Sequence, residues 1–70
     1  MITKDKLWHS NTEQPQSGKE ILFEWKSDAL VGYVHHDIGY WIPRENTINV
    51  VGMKWGLEDI TRWMYMEDIL

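Results

Sequence analysis

The sequence predicts a mainly β domain, a single antiparallel meander sheet of four to five strands with a short helical turn at most; a small α+β domain is the alternative. Three observations support this class. The chain has 70 residues, enough for one domain spanning 1–70 but not for two. Apolar and more polar residues alternate between Glu20 and Lys26, as in a half-buried strand. Turn residues follow at short intervals, without repeats or low-complexity tracts.

The first predicted strand begins at Glu20, and Ser27 and Asp28 then supply turn chemistry. Residues 29–36 return as the second strand, so that six apolar or small residues share one face of the hairpin. The pairs that this register places opposite each other are Trp25 with Leu30, Phe23 with Gly32 and Ile21 with Val34. The opposite face of this hairpin mixes apolar and polar residues, so we expect one face to be buried and the other to be partly exposed to solvent.

The meander is predicted to continue beyond the hairpin. Residues 36–39 resemble a second turn, and residues 40–42 form a short third strand that Pro43 ends. Residues 44–59 are expected to be a loop that contains a short β-branched strand at 47–51. The last strand closes one side of the sheet.

The C-terminal stretch, 60–70, is open to two interpretations. A helical stripe is approximated by Leu57, Ile60, Met64 and Ile69, whereas Thr61, Trp63 and Tyr65 alternate with Arg62 and Met64 as in a strand. Periodicity does not decide between strand, helix or both.

Near the N-terminus, Ser10 and Glu13 have capping-box spacing, but Pro15 and Gly18 allow at most one turn of helix after them.

Charge and composition exclude several classes of function. Lys and Arg number 7 against 11 Asp and Glu, a formal net charge of −4, and the basic residues are scattered, so we expect no nucleic-acid partner. No apolar run reaches membrane-spanning length, and we expect a soluble protein in the cytoplasm of a bacterial host cell. The absence of Cys removes disulfides and thiolate metal sites.

The residues do not suggest catalysis, a cofactor or a metal. His35 and His36 precede Asp37, which are metal-ligand residue types, but adjacent residues of a strand point to opposite faces and cannot easily bind one ion. Neither a nucleophile-elbow motif nor a phosphate-binding glycine-rich loop is present. The acidic residues at 58–59 and 67–68 are interpreted as a solvated surface. We therefore expect a non-enzymatic protein.

A set of residues along most of the chain matches the pattern of a known family. The matching residues are Trp8, Ser10, Glu13, Pro15, Gly18, residues 21–23, Tyr33, Gly39, Trp41 and residues 60–64. The chain resembles a family of small phage and prophage domains of unknown function, which run W-x-S-x-x-E-x-x-P, a V-L-V strand, a Y-x-x-G-x-W hairpin and a final T-H-W-M-P-L-P. Here Tyr65 and residues 66–70 replace the family's closing prolines. The resemblance implies a small antiparallel sheet, a strand at 60–65, a single helical turn at 66–70 and a phage origin.

Five tryptophans supply the best indication of a function. Four of them, Trp8, Trp25, Trp41 and Trp63, are predicted to be core residues. Trp55 lies instead in the irregular segment between Met53 and Leu57, and Trp and Met are adaptable interface residues.

We therefore predict that Met53, Trp55 and Leu57 bind a partner, with a core position for Trp55 as the alternative. The predicted function is that of a phage-type accessory protein that binds, and modulates, a host or phage protein, and a homo-oligomer is a further possibility. A small-ligand module that stacks a nucleotide-like molecule on an aromatic face is the alternative function.

Overall fold

The computed structural model describes residues 4–27 and 33–69, which form a six-stranded antiparallel sheet. The strands are β1 (His9–Ser10), β2 (Glu20–Lys26), β3 (Val34–Ile42), β4 (Thr47–Val50), β5 (Met53–Trp55) and β6 (Arg62–Tyr65). Their spatial order is β1-β6-β2-β3-β4-β5, and three short 3₁₀ turns span Lys4–Leu7, Leu57–Asp59 and Met66–Asp68. The mainly β class is confirmed, with more strands than the four to five predicted.

The predicted register of the first hairpin is wrong. Strand β3 runs without a break through the predicted turn at 36–39, so Trp25 lies opposite His35 and Ile21 lies opposite Gly39. Phe23 correspondingly faces Asp37. The connection between β2 and β3 is longer than two residues, and its members 28–32, which include the predicted partners Leu30 and Gly32, lie outside the described residues.

Gly39 explains why turn-like residues form a strand here. A Cβ atom at this position would lie 2.8 Å from the Asn49 carbonyl oxygen and 2.9 Å from side-chain methyl groups of Ile48 and Val50. The glycine therefore permits the close approach of β4 to β3 and does not serve a turn. Such a role depends on a strand ten residues away, which local turn chemistry cannot reveal.

The segment predicted to be mostly loop contains two strands. The short strand predicted at 47–51 is confirmed as β4, and β5 follows it after a tight turn in which Gly52 adopts a φ of 78°. Strand β5 was not predicted, because three residues are too few to establish a period. In the C-terminal stretch the strand alternative is confirmed as β6, which the lone 3₁₀ turn at Met66–Asp68 follows directly; the stripe from Leu57 to Ile69 does not form a helix.

Strand β6 pairs with β2 on the side away from β3, so the last strand lies at one side of the meander as predicted, but β1 pairs with the outer side of β6 and forms the edge. The lead-in before β2 then crosses to β6: the Trp63 indole donates a hydrogen bond to the Glu13 carbonyl at 3.0 Å, and the Tyr65 hydroxyl accepts one from the Gln16 N–H at 3.0 Å. Ser10 and Glu13 exchange two hydrogen bonds, so the capping-box pair closes a turn without starting a helix.

One face of the sheet carries the hydrophobic core. Its buried members are Ile21, Phe23, Trp41, Ile48, Ile60 and Trp63. The ring of Trp55 on β5 lies 5.9 Å from that of Phe23 and 4.8 Å from that of Trp25, both on β2. Three strand spacings separate β2 from β5, which is about 14 Å in a flat sheet. The sheet is therefore strongly coiled, and the β4–β5 hairpin folds over the core face.

Candidate functional site

Coiling of the sheet leaves a groove between the end of β2 and β5, which we call the β2–β5 groove. Its volume is about 550 Å3. The residues that line it are Trp25, Lys26, Ser27, Met53, Lys54, Trp55 and Asp59. A cavity of this size lies within the range of small-molecule sites and can also accept a side chain or a short segment of another protein.

Two of the three residues predicted to bind a partner meet in this groove. Trp55 is partly buried, with its ring against Phe23 and Trp25, and Met53 beside it is 56% exposed. Leu57 begins the second 3₁₀ turn, packs against the core and does not line the groove. Trp55 thus combines support from the core with a surface that solvent reaches.

Trp25 forms the other aromatic wall of the groove and is itself held on two sides. Its ring stacks on His35 at 4.3 Å between centroids and 17° between planes, and its indole N–H donates to the Asp37 carboxylate at 2.8 Å. Tyr33 continues the series, with its ring 5.9 Å from that of His35. Trp25 was predicted to be a core residue, but it lies at the rim of the groove. Its place beside the turn residues at the end of β2 was the sequence feature that indicates such a position.

Charged groups stand at the groove's rim. Lys26 and Lys54 bring two positive charges, and the Asp59 carboxylate accepts a hydrogen bond from the Gly56 N–H at 3.2 Å. The Lys54 ammonium also contacts the Glu45 carboxylate, and this hydrogen bond and charge lower the pKa of Glu45. The rim is therefore mixed in charge around an aromatic floor.

A polar cluster lies on the face of the sheet opposite the core and links three strands by hydrogen bonds. Glu24 on β2 accepts hydrogen bonds at 3.1 Å from Nε and Nη2 of Arg62 on β6 and at 3.2 Å from Nε2 of His36 on β3. The Arg62 guanidinium also stacks over Trp8, 4.1 Å from the ring centroid.

Glu24 in this cluster is only 8% exposed. Burial raises the pKa of its carboxyl, but the hydrogen bonds and charges of Arg62 and His36 outweigh burial and lower the pKa overall. Because both carboxylate oxygens accept hydrogen bonds from Arg62 or His36, the cluster has a structural role. This cluster was not predicted, because its three members are brought together only by the register of β6, β2 and β3.

The two adjacent histidines serve different faces. His35 stacks on Trp25 on the core face, whereas His36 contacts Glu24 on the other. Within residues 4–27 and 33–69, no three His, Asp or Glu side chains are grouped so that they could hold a metal ion.

A second cavity, of about 590 Å3, lies where the end of β3 meets the lead-in to β2. It is lined by Ser17, Gly18, residues 40–42, Pro43 and Arg44. The β2–β5 groove is the stronger candidate site, because it has two partly exposed tryptophans whose rings are in contact, where this cavity has the buried Trp41.

In the part of the chain that the structure describes, no helical element reaches the length and hydrophobicity of a membrane span. Comparison of the chain with models of known protein families, with curated proteins and with solved structures finds no match.

Proposed function

We propose that this chain is a non-enzymatic, phage-type or prophage-type accessory protein that captures a protein partner in the β2–β5 groove and modulates it. The phage assignment rests on the resemblance at Trp8, Ser10, Glu13 and residues 60–64. The proposed place of action is the cytoplasm of a bacterial host, for which the absence of Cys is suitable.

The observation that carries the proposal is the partly exposed Trp55 ring, fixed by Phe23 and Trp25 and flanked by the exposed Met53. Tryptophans are enriched at the energetic centres of protein interfaces. A ring already fixed by its neighbours loses little conformational entropy on binding, so more of the contact energy remains as affinity. Met53 adds a flexible apolar side chain that can adapt to a partner's surface.

A non-enzymatic role fits the polar groups at the groove. Among the described residues that line it, Asp59 is the one carboxylate, its Oδ2 is engaged by the Gly56 N–H, and none is a histidine. Within this described lining, a general acid and base pair of the kind that carboxylates and histidines form lacks a second member.

The test uses two exposed residues of one hairpin. Met53 lies in the groove, whereas Val51 lies at the tip of the β4–β5 hairpin, is 99% exposed and does not line the groove. Met53→Ser should abolish retention of a partner captured from bacterial lysate by the immobilised full chain. Val51→Ser is the matched control and should retain it. Equal retention of the same protein by both variants would contradict the proposal.

A small planar ligand is the second candidate. It is favoured by the stacked rings of Tyr33, His35 and Trp25, against the last of which the Trp55 ring lies tilted. The two lysines of the rim would suit an anionic group on such a ligand. Titration with ATP and with adenosine separates the candidates: saturable quenching of tryptophan fluorescence that Met53→Ser weakens supports the small ligand, and unchanged fluorescence rejects it for these probes.

A further inference from the structure

Part of one edge of β3 has no described partner. Strand β3 spans Val34–Ile42 and pairs along most of its length with β2, but on its other side β4 reaches only Tyr40–Ile42. No residue within 4–27 or 33–69 pairs with Val34–Ile38 on that side. A strand edge of this kind is a template for pairing with another extended chain.

The direction of the backbone groups along this edge follows from one hydrogen bond. The Ser27 N–H donates to the Tyr33 carbonyl at 3.4 Å, so these two residues form a hydrogen-bonded pair across the β2–β3 hairpin. Bonded and non-bonded pairs alternate in an antiparallel ladder. The N–H and C=O groups of Val34, His36 and Ile38 therefore point away from β2, toward the open side.

We propose that this edge pairs with the same edge of a second copy of the chain, antiparallel and centred on His36. A two-fold axis at His36 places Val34 opposite Ile38 of the second copy, and His35 opposite its Asp37. All three outward-pointing residues then fall in hydrogen-bonded pairs, which gives about six backbone hydrogen bonds across the axis. A centre on His35 or on Asp37 also aligns outward-pointing residues with each other, but it aligns only two of the three in each copy, which gives about four such bonds.

The side chains on both faces of the edge match this symmetry. On the face opposite the core, Val34 and Ile38 are 43% and 45% exposed, and the axis sets these two apolar residues against each other twice. On the core face the axis sets the imidazole of His35 opposite the carboxylate of Asp37, so that a ring N–H of one copy can donate a hydrogen bond to the carboxylate of the other. Self-complementarity of this kind is what an isologous interface requires.

The proposed dimer is independent of the β2–β5 groove, since none of residues 34–38 lines it. Five residues of strand pairing form a small interface, so association should be weak and concentration-dependent. Sedimentation velocity of the full chain, at concentrations up to about 500 µM, should show a reversible monomer–dimer equilibrium. A chain that remains monomeric over this range would overturn the proposal.

Paired charge substitutions test the register. Val34→Lys combined with Ile38→Lys places like charges opposite each other and should raise the dissociation constant at least about tenfold. Val34→Lys combined with Ile38→Glu is the matched control: it changes the same exposed positions but places Lys against Glu across the axis, so the dimer should persist. Melting curves verify that both variants fold. Dimers that survive the lysine pair, or that both variants abolish equally, would refute this interface.

Discussion

Replacing Glu24 by glutamine removes the charge that connects β6, β2 and β3 on the face opposite the core. Glu24 is 8% exposed and accepts two hydrogen bonds from Arg62 and one from His36. Hydrogen bonds to a charged group contribute about 1.5–3 kcal/mol each, but the exposed part of Arg62 can regain water. We therefore expect Glu24→Gln to lower the free energy of unfolding by about 2 kcal/mol.

This loss is a large share of the total, because a chain of 70 residues has about 3.5–10 kcal/mol of stability. Urea unfolding followed by tryptophan fluorescence measures it directly. Glu45→Gln is the control, since the ion pair between Glu45 and Lys54 lies on the surface, and its effect should be far smaller. Equal midpoints for the two variants would show that the buried cluster does not connect the strands as argued.

Three further predictions follow from single features of the fold. The pKa of Glu24 is lowered in the folded state, so the contribution of its carboxylate to the free energy of unfolding is present above the ordinary pKa of a glutamate and is lost as the pH falls through the folded pKa. Below about pH 4.5, the urea midpoints of the wild type should therefore fall more steeply than those of Glu24→Gln. Trp55→Ala should cost about 2–3 kcal/mol, since the ring packs on Phe23 and Trp25, and an unchanged melting curve would refute this packing. Gly39→Ala should cost about 1–3 kcal/mol because its Cβ would overlap β4, whereas at Gly56 a Cβ would meet only the flexible Glu58 side chain, so Gly56→Ala should have a smaller effect on thermal unfolding.

Local patterns predicted the strands that have a clear period. The alternation of Ile21, Phe23 and Trp25 identified β2, and the β-branched run at 47–51 identified β4. The resemblance to phage domains favoured the strand and the short helical turn at the C-terminus, where periodicity alone was ambiguous.

The errors have a physical cause in contacts between distant residues. The residues at 36–39 have turn chemistry, but pairing with β2 and the close approach of Asn49 keep them extended. The β2–β5 groove arises from the coiling of the whole sheet, which places Trp55 on Trp25 across three strand spacings. The same coiling packs the Trp55 ring on Phe23 and Trp25, so the residue predicted to bind a partner also contributes to the stability of the fold.

The central claim, that the β2–β5 groove binds the partner, is tested most directly by the indole N–H signals of the five tryptophans. Trp25 and Trp55 line the groove, whereas Trp41 and Trp63 are buried outside it and serve as internal references. In ¹⁵N-edited NMR spectra of the full chain titrated with the purified captured protein, the signals of Trp25 and Trp55 should shift or broaden while those of Trp41 and Trp63 stay in place. Binding that leaves the Trp25 and Trp55 signals unmoved would contradict the claim.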